Sequence, residues 1–270
     1  MEKADRKTRI AVAASMLQGS PGKSYSLGVF CEMFGAAKST MSEDISILRG
    51  MLHKYGLGDI EVALGAAGGV KFVPFVSPER RGQILASISE KLSDPSRILP
   101  GGYIYTVDVF SSPVHVTDMA NVLAGMFAKT TADFVATVET KGIPLALGVA
   151  RLLSKPLVIA RRDAKITEGS VVTINYLTGS SRRMRTMSMS KRAIRPGQKA
   201  LLIDDFIHAG GTVHALCEMM KEFTAPVVGI GVAIAMREPI KKKVENYKSL
   251  FTLEEVDEEN EKIVIHPFEG

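Results

Sequence analysis

The stretch Leu201-Leu202-Ile203-Asp204-Asp205-Phe206-Ile207-His208-Ala209-Gly210-Gly211-Thr212-Val213 decides how this chain folds and what it can hold. Leu201, Leu202 and Ile203 read as the end of a buried parallel strand, and two carboxylates follow where that strand emerges. Beyond a loop of small residues, Leu216, Met219, Met220 and Phe223 recur at helical spacing. A loop of Ala, Gly, Gly and Thr that opens a helix lets backbone N–H groups close around a phosphate, and the helix N-terminus adds positive potential. Asp204 and Asp205 then stand where they can hold ribose hydroxyls, or a metal riding on a diphosphate. A bare Gly-Gly pair carries little information. Adjacent acids followed by Ala-Gly-Gly-Thr, between a strand and a helix, carry much more.

Around this stretch, from Gly101 onward, strand-like and helix-like segments alternate, which predicts an α/β domain with a mainly parallel sheet. Strands are expected at 103–107, 134–138, 157–160, 200–203 and 227–235, and helices at 116–127 and 143–153. Ligands in such sheets bind beyond the carboxyl ends of the strands. Two further strand ends point at the same mouth. Thr140, Lys141 and Gly142 offer a close backbone approach and a cation for diphosphate oxygens, and Arg161 and Arg162 lead a cationic cluster. Between 165 and 197, two alternating segments, 171–177 and 184–189, predict a hairpin tipped by Gly179, Ser180, Ser181, Arg182 and Arg183. Such an arm can fold over a bound diphosphate or lie against nucleic acid.

The first 74 residues have another character. Ile10, Val12, Ala13, Met16 and Leu17 suggest a first helix, stopped by Gly19-Ser20-Pro21-Gly22. Leu27, Phe30, Cys31 and Phe34 make a short second helix, which Gly35 breaks. Met41, Ile45, Leu48 and Leu52 lie on one face of a third, opened either by a Thr40–Glu43 capping box or a turn earlier near Ala37. A hairpin over 60–73 with a glycine-rich tip completes a winged helix. Lys38, Ser39, Thr40 and Ser42 at the start of the third helix, and Lys71 on the wing, are the candidate DNA contacts. A three-helix bundle with a structural hairpin is the alternative. The domains expected are 1–74 and 75–270, joined through Pro74-Phe75-Val76-Ser77-Pro78.

Composition narrows the class. At 46% hydrophobic and 23% charged, a chain of 270 residues can bury cores and is not disordered. No run approaches the roughly 18 apolar residues of a membrane span, and the first residues carry acids with no signal-type cleavage pattern, so a cytoplasmic protein is expected. Cys31 and Cys217 read as buried thiols, and no protein-held metal is expected. Net charge is +2 over 1–74, +8 over 75–198 and −5 over 199–270, so the basic excess lies in the middle. The acidic run 254–259 reads as a solvated turn without chemistry.

The 204–212 pattern resembles the phosphoribosyl pyrophosphate (PRPP) signature of type I phosphoribosyltransferases. With both domains placed, nearly the full length resembles the Gram-positive purine operon repressor family, PurR, a winged helix joined to such a domain. The segments 37–44, 65–71, 97–103, 140–146, 167–170, 179–181 and 204–212 carry the likeness. It implies a homodimer that binds double-stranded DNA in purine operon control regions and represses purine synthesis and transport genes. It implies that PRPP, with or without magnesium, binds the second domain and relieves DNA binding, and that guanosine tetraphosphate in the same pocket favours repression. Asp204 and Asp205 would contact ribose, and Ala209, Gly210, Gly211 and Thr212 would hold a phosphate. Thr140, Lys141 and Gly142 would meet the diphosphate, and Tyr103 and Phe206 would flank a base. A lysine is common in the family where His208 stands here. No catalytic residue is assigned, and transferase activity is expected to be absent. The alternatives are an active purine phosphoribosyltransferase with a regulatory module and, less favoured, an RNA-binding attenuation regulator.

Overall fold

The computed structural model describes residues 4–63, 68–163, 166–177 and 184–268. The first domain is built from α1 (Arg6–Gly19), α2 (Leu27–Phe34), α3 (Lys38–Lys54), β1 (Asp59–Ala63) and β2 (Gly69–Val73). Asp5 caps α1 by accepting from the Thr8 N–H, and Gly35 ends α2 in the left-handed region at φ 59°. Ala37 is the residue before α3, so Thr40 lies inside the helix and is not its cap. Met41, Ile45, Leu48 and Leu52 are buried against Leu17, Phe30 and Phe34, and Ile60 and Phe72 of the antiparallel hairpin close that core.

The second domain begins with α4 (Pro78–Leu92), capped by Ser77. A 3-10 turn leads to the short pair β3 (Ile98–Leu99) and β4 (Tyr103–Ile104), then α5 (Val107–Ser111) and α6 (Pro113–Met126). The sequence pattern suggested a strand over 103–107; it stops at Ile104, and Val107 opens α5 after Thr106. Then come β5 (Phe134–Val138), α7 (Gly142–Leu153), β6 (Leu157–Ala160), the antiparallel arm β7 (Val171–Leu177) and β8 (Met184–Ser190), and β9 (Ala200–Ile207). The chain ends with α8 (Gly211–Glu222), β10 (Val227–Met236), β11 (Tyr247–Asp257) and β12 (Lys262–Pro267).

Six strands form the main sheet in the order β12-β11-β10-β9-β5-β6, parallel except for β12. All five residues of β5 are buried, as a strand covered on both faces requires. Helices α6 and α7 pack on one face with Leu123, Leu145 and Val149, and α8 covers the other with Leu216, Met219 and Met220. Strand β9 runs past Ile203 because β10 keeps pairing with it, Val232 opposite Asp204 and Ile234 opposite Phe206. The two acids therefore sit on the last turns of pleat and not beyond the strand. The acidic run 254–259 is likewise mostly strand: Glu254 to Asp257 belong to β11, and Asp257 caps the turn by accepting from the Glu259 and Asn260 N–H groups.

Candidate effector pocket and nucleic-acid interface

A cavity of about 350 Å³ opens where β9, β10 and the loop before α7 end. Tyr103, Ile104, Phe206, Met236 and Leu253 give it an apolar side; Lys141 and His208 give it a cationic or polar one. A small cavity with aromatic walls and a few convergent polar groups is what a nucleotide site needs.

The acids come from β9. Asp204 is 9% exposed and its Oδ1 accepts the Asp205 N–H at 3.0 Å. Burial, then the neighbouring Asp205 carboxylate, push the Asp204 carboxyl well above the usual carboxylate range. Helix α7 starts hard against it: a Cβ on Gly142 would lie 2.7 Å from Asp204 Oδ1 and 2.6 Å from Thr137 Oγ1. Only glycine allows this approach. Thr137 Oγ1 and His208 Nδ1 are both buried without a hydrogen-bond partner. Burial, then the Lys242 ammonium, hold His208 below the ordinary histidine range, so it is neutral at pH 7.

The small-residue loop behaves as its composition suggests. Gly210 takes φ 80° as the residue before α8, and the N–H groups of Gly211 and Thr212 open that helix. Behind the loop the Lys243 N–H donates to Ala209 O at 3.0 Å, which fixes it from the β10–β11 connection. Lys141 directly precedes α7 and lines the cavity; its sequence neighbours Thr140 and Gly142 do not.

Two expected cations behave differently. Arg161 is engaged by Glu139 at 3.5 Å and by Glu168, and its backbone pairs with Ser188 of the β7–β8 arm. Its guanidinium thus joins the end of β5 to the turn before β7, and Arg161 does not line the cavity. Arg162 is exposed, its N–H held by Glu139 at 2.7 Å, and its guanidinium is near enough to favour the charged form of Asp204. Ser180 and Ser181, with the rest of the arm's tip, lie outside the described residues. Met236, Leu253 and the unpartnered Thr137 were not singled out from sequence. They reach the site only through pairing across the sheet, which no local pattern encodes.

In the first domain Lys38, Ser39 and Ser42 are exposed at the start of α3, and Thr40 is half-buried. Lys71 pairs with Glu61 across the wing at 2.9 Å. Beneath this surface Asp44 is 1% exposed and is held by Arg9 Nε at 2.6 Å and Arg6 Nε at 3.3 Å, which locks α3 to α1. The two domains meet at the other end of α7. A Cβ on Gly22 would lie 2.7 Å from the Ser154 Cβ, and the Gly22 N–H donates to Phe72 O of the wing at 2.8 Å.

Residues 5–74 match the family described as bacterial purine repressor, N-terminal, and residues 114–266 match the phosphoribosyl transferase domain. The chain is similar to the purine biosynthesis transcriptional repressor PurR of Bacillus subtilis (strain 168), 39% identical over 260 residues, covering 96% of this chain and 91% of that protein. It is also similar to the purine biosynthesis transcriptional activator PurR of Lactococcus lactis subsp. lactis (strain IL1403), 35% identical over 96% of this chain and 95% of that one. Among solved structures, adenine phosphoribosyltransferase from Rhodothermus marinus DSM 4252 superposes with a TM-score of 0.52 at 21% identity, covering 62% of this chain and 97% of that chain. That likeness is one of fold.

Proposed function

Because the chain belongs to the PurR family of bacterial purine repressors, we propose that it binds control-region DNA of purine synthesis and transport genes as a repressor, and that PRPP in the second domain weakens that binding. One observation carries the reading: a single chain joins an exposed recognition-helix end to a cavity, lined by Lys141, Phe206 and His208, at the strand end where two adjacent acids lead into a small-residue, helix-opening loop. Asp204 and Asp205 would take the ribose hydroxyls, residues 209–212 the 5′-phosphate, and Thr140, Lys141 and Gly142 the diphosphate. A magnesium ion would arrive with the diphosphate. Among the described residues no cluster of three or more His, Cys, Asp or Glu is built to hold a metal, and magnesium needs only one or two carboxylates when phosphates supply the rest.

Tyr103 and Phe206 on the apolar side support guanosine tetraphosphate as a second occupant of the same cavity, one that favours repression. The protein acts as a homodimer in the cytoplasm; among the described residues no helix is long and apolar enough to cross a membrane. The phosphoribosyltransferase fold serves here for sensing, without transfer.

The test is titration of purine-operon control DNA at fixed salt, with and without PRPP, against unrelated DNA as competitor. Specific binding that weakens with PRPP is expected. Absence of specific binding under every ligand condition, or nucleotide formation from PRPP and a purine base, refutes the reading.

A further inference from the structure

The pocket's aromatic side is carried by a small hairpin that the main sheet does not contain. Leu99 pairs with Tyr103 and Ile98 with Ile104, and Gly101 and Gly102 turn between them at φ 89° and 73°. Two such residues give a hairpin little stability alone. Its base is fastened by Arg97, which donates to Asp108 at 2.7 and 2.8 Å and holds that carboxyl down at about 2. Its tip is fastened by a residue 156 positions away: Glu258 Oε1 accepts the Gly101 N–H at 2.8 Å and the Gly102 N–H at 2.6 Å. Glu258 stands on the β11–β12 turn, which Asp257 and Asn260 stiffen with a 2.7 Å side-chain bond. Tyr103 itself is 59% exposed and packs close to Gly101, where an added Cβ would sit 3.3 Å from the ring. Arg97 and the buried Ile104 hold the base of the hairpin, and Glu258 holds the tip from which the exposed Tyr103 ring leaves.

We propose that Glu258 is a positioning residue that sets effector selectivity: by holding the Gly101–Gly102 turn it places Tyr103 against the base of a purine nucleotide, while a base-free ligand such as PRPP does not feel it. This rests on the pocket's reading as a phosphoribosyl site. Carboxylate bonds to backbone N–H groups are charge-assisted, and one oxygen here serves two of them. Gln keeps an acceptor oxygen at the same reach and loses the charge; Ala loses both.

The experiment is calorimetric titration of GDP and of PRPP into the wild-type protein, E258A and E258Q, with melting temperatures recorded for each. E258A is expected to weaken GDP binding about fivefold or more, to leave PRPP within twofold, and to leave the melting temperature within a few degrees. E258Q is expected to recover at least half of the lost GDP affinity on a logarithmic scale. Equal loss for both ligands, unchanged GDP affinity in E258A, or no recovery in E258Q overturns the assignment. A wild-type protein that binds PRPP and not GDP overturns it too, by removing the base from the aromatic side. Failure to bind PRPP at all overturns the phosphoribosyl reading itself.

Discussion

Two aspartates, one in each domain, are both deeply buried and have opposite surroundings. Asp44 is met by two guanidiniums, Arg9 at 2.6 Å and Arg6 at 3.3 Å. Asp204 is met by another carboxylate, by a neutral backbone N–H, and by the bare Cα of Gly142, while the exposed Arg162 favours its charge less than burial and Asp205 oppose it. A buried charge costs several kcal/mol unless it is paired. Asp44 is neutralised within the fold and serves to fix the angle between α1 and α3. Asp204 is left wanting hydroxyl donors or a cation, and its high carboxyl affinity for protons records that need. The first aspartate ties two helices together; the second has its charge disfavoured by its surroundings.

The largest effect that sharpens this contrast comes from Asp44→Ala. It strands Arg9 in the core and is expected to cost about 3–5 kcal/mol, with specific DNA binding lost; urea unfolding and a DNA titration measure both. Next, Asp204→Ala is expected to weaken PRPP binding roughly 100-fold, about 2.7 kcal/mol, by removing charged hydrogen bonds to ribose. An unchanged PRPP response of DNA binding in this variant breaks the contrast from the ligand side.

Third, Asp204→Asn should stabilise the free protein while harming ligand binding. The folded carboxyl has a raised proton affinity, so wild-type stability falls as pH rises from the unfolded carboxyl's range through the folded one. Asn has no charge to bury. The variant's advantage is therefore expected to be near zero at pH 4 and about 1 kcal/mol or more at pH 8, read from melting curves across that range. A variant advantage that shrinks with pH contradicts the account. The smallest effect is expected at the wing. Glu61 is exposed and Lys71 half-buried on the wing surface, so Glu61→Gln should change stability by less than about 0.5 kcal/mol. The same variant frees Lys71, and a steeper salt dependence of DNA binding is the observable.

The winged helix was legible because its signals are local: Met41, Ile45, Leu48 and Leu52 repeat at helical spacing, and Gly35 ends the helix before them. Strands β5 and β6 were read to the residue for a similar reason, being short apolar runs between turns. The 209–212 loop was legible because a left-handed residue before a helix calls for glycine, and Gly210 takes φ 80° there. Legibility ended where pairing across the sheet decides the structure. The extension of β9 to Ile207 depends on β10. Strand β11 mixes buried Leu250, Phe251 and Leu253 with exposed Glu255, and its acids masked it as a turn. The pairing of Arg161 with Glu139 and Glu168 could not be read from the sequence, because the three residues converge only in the fold.

Helix α7 touches Asp204 with Gly142 at its first residue and delivers Ser154, just past its last, to Gly22 of the other domain. Twelve residues at about 1.5 Å each make it roughly 18 Å long. Between its ends Gly148 lies so near Ala120 that an added Cβ would approach to 2.7 Å, which leaves the helix no room to roll. The Asp204 contact and the wing root are thus two teeth of one gear. Inserting a single residue in α7 would swing Ser154 about 100° away from Gly22 while Gly142 stayed in place, and the two domains would lose their mesh.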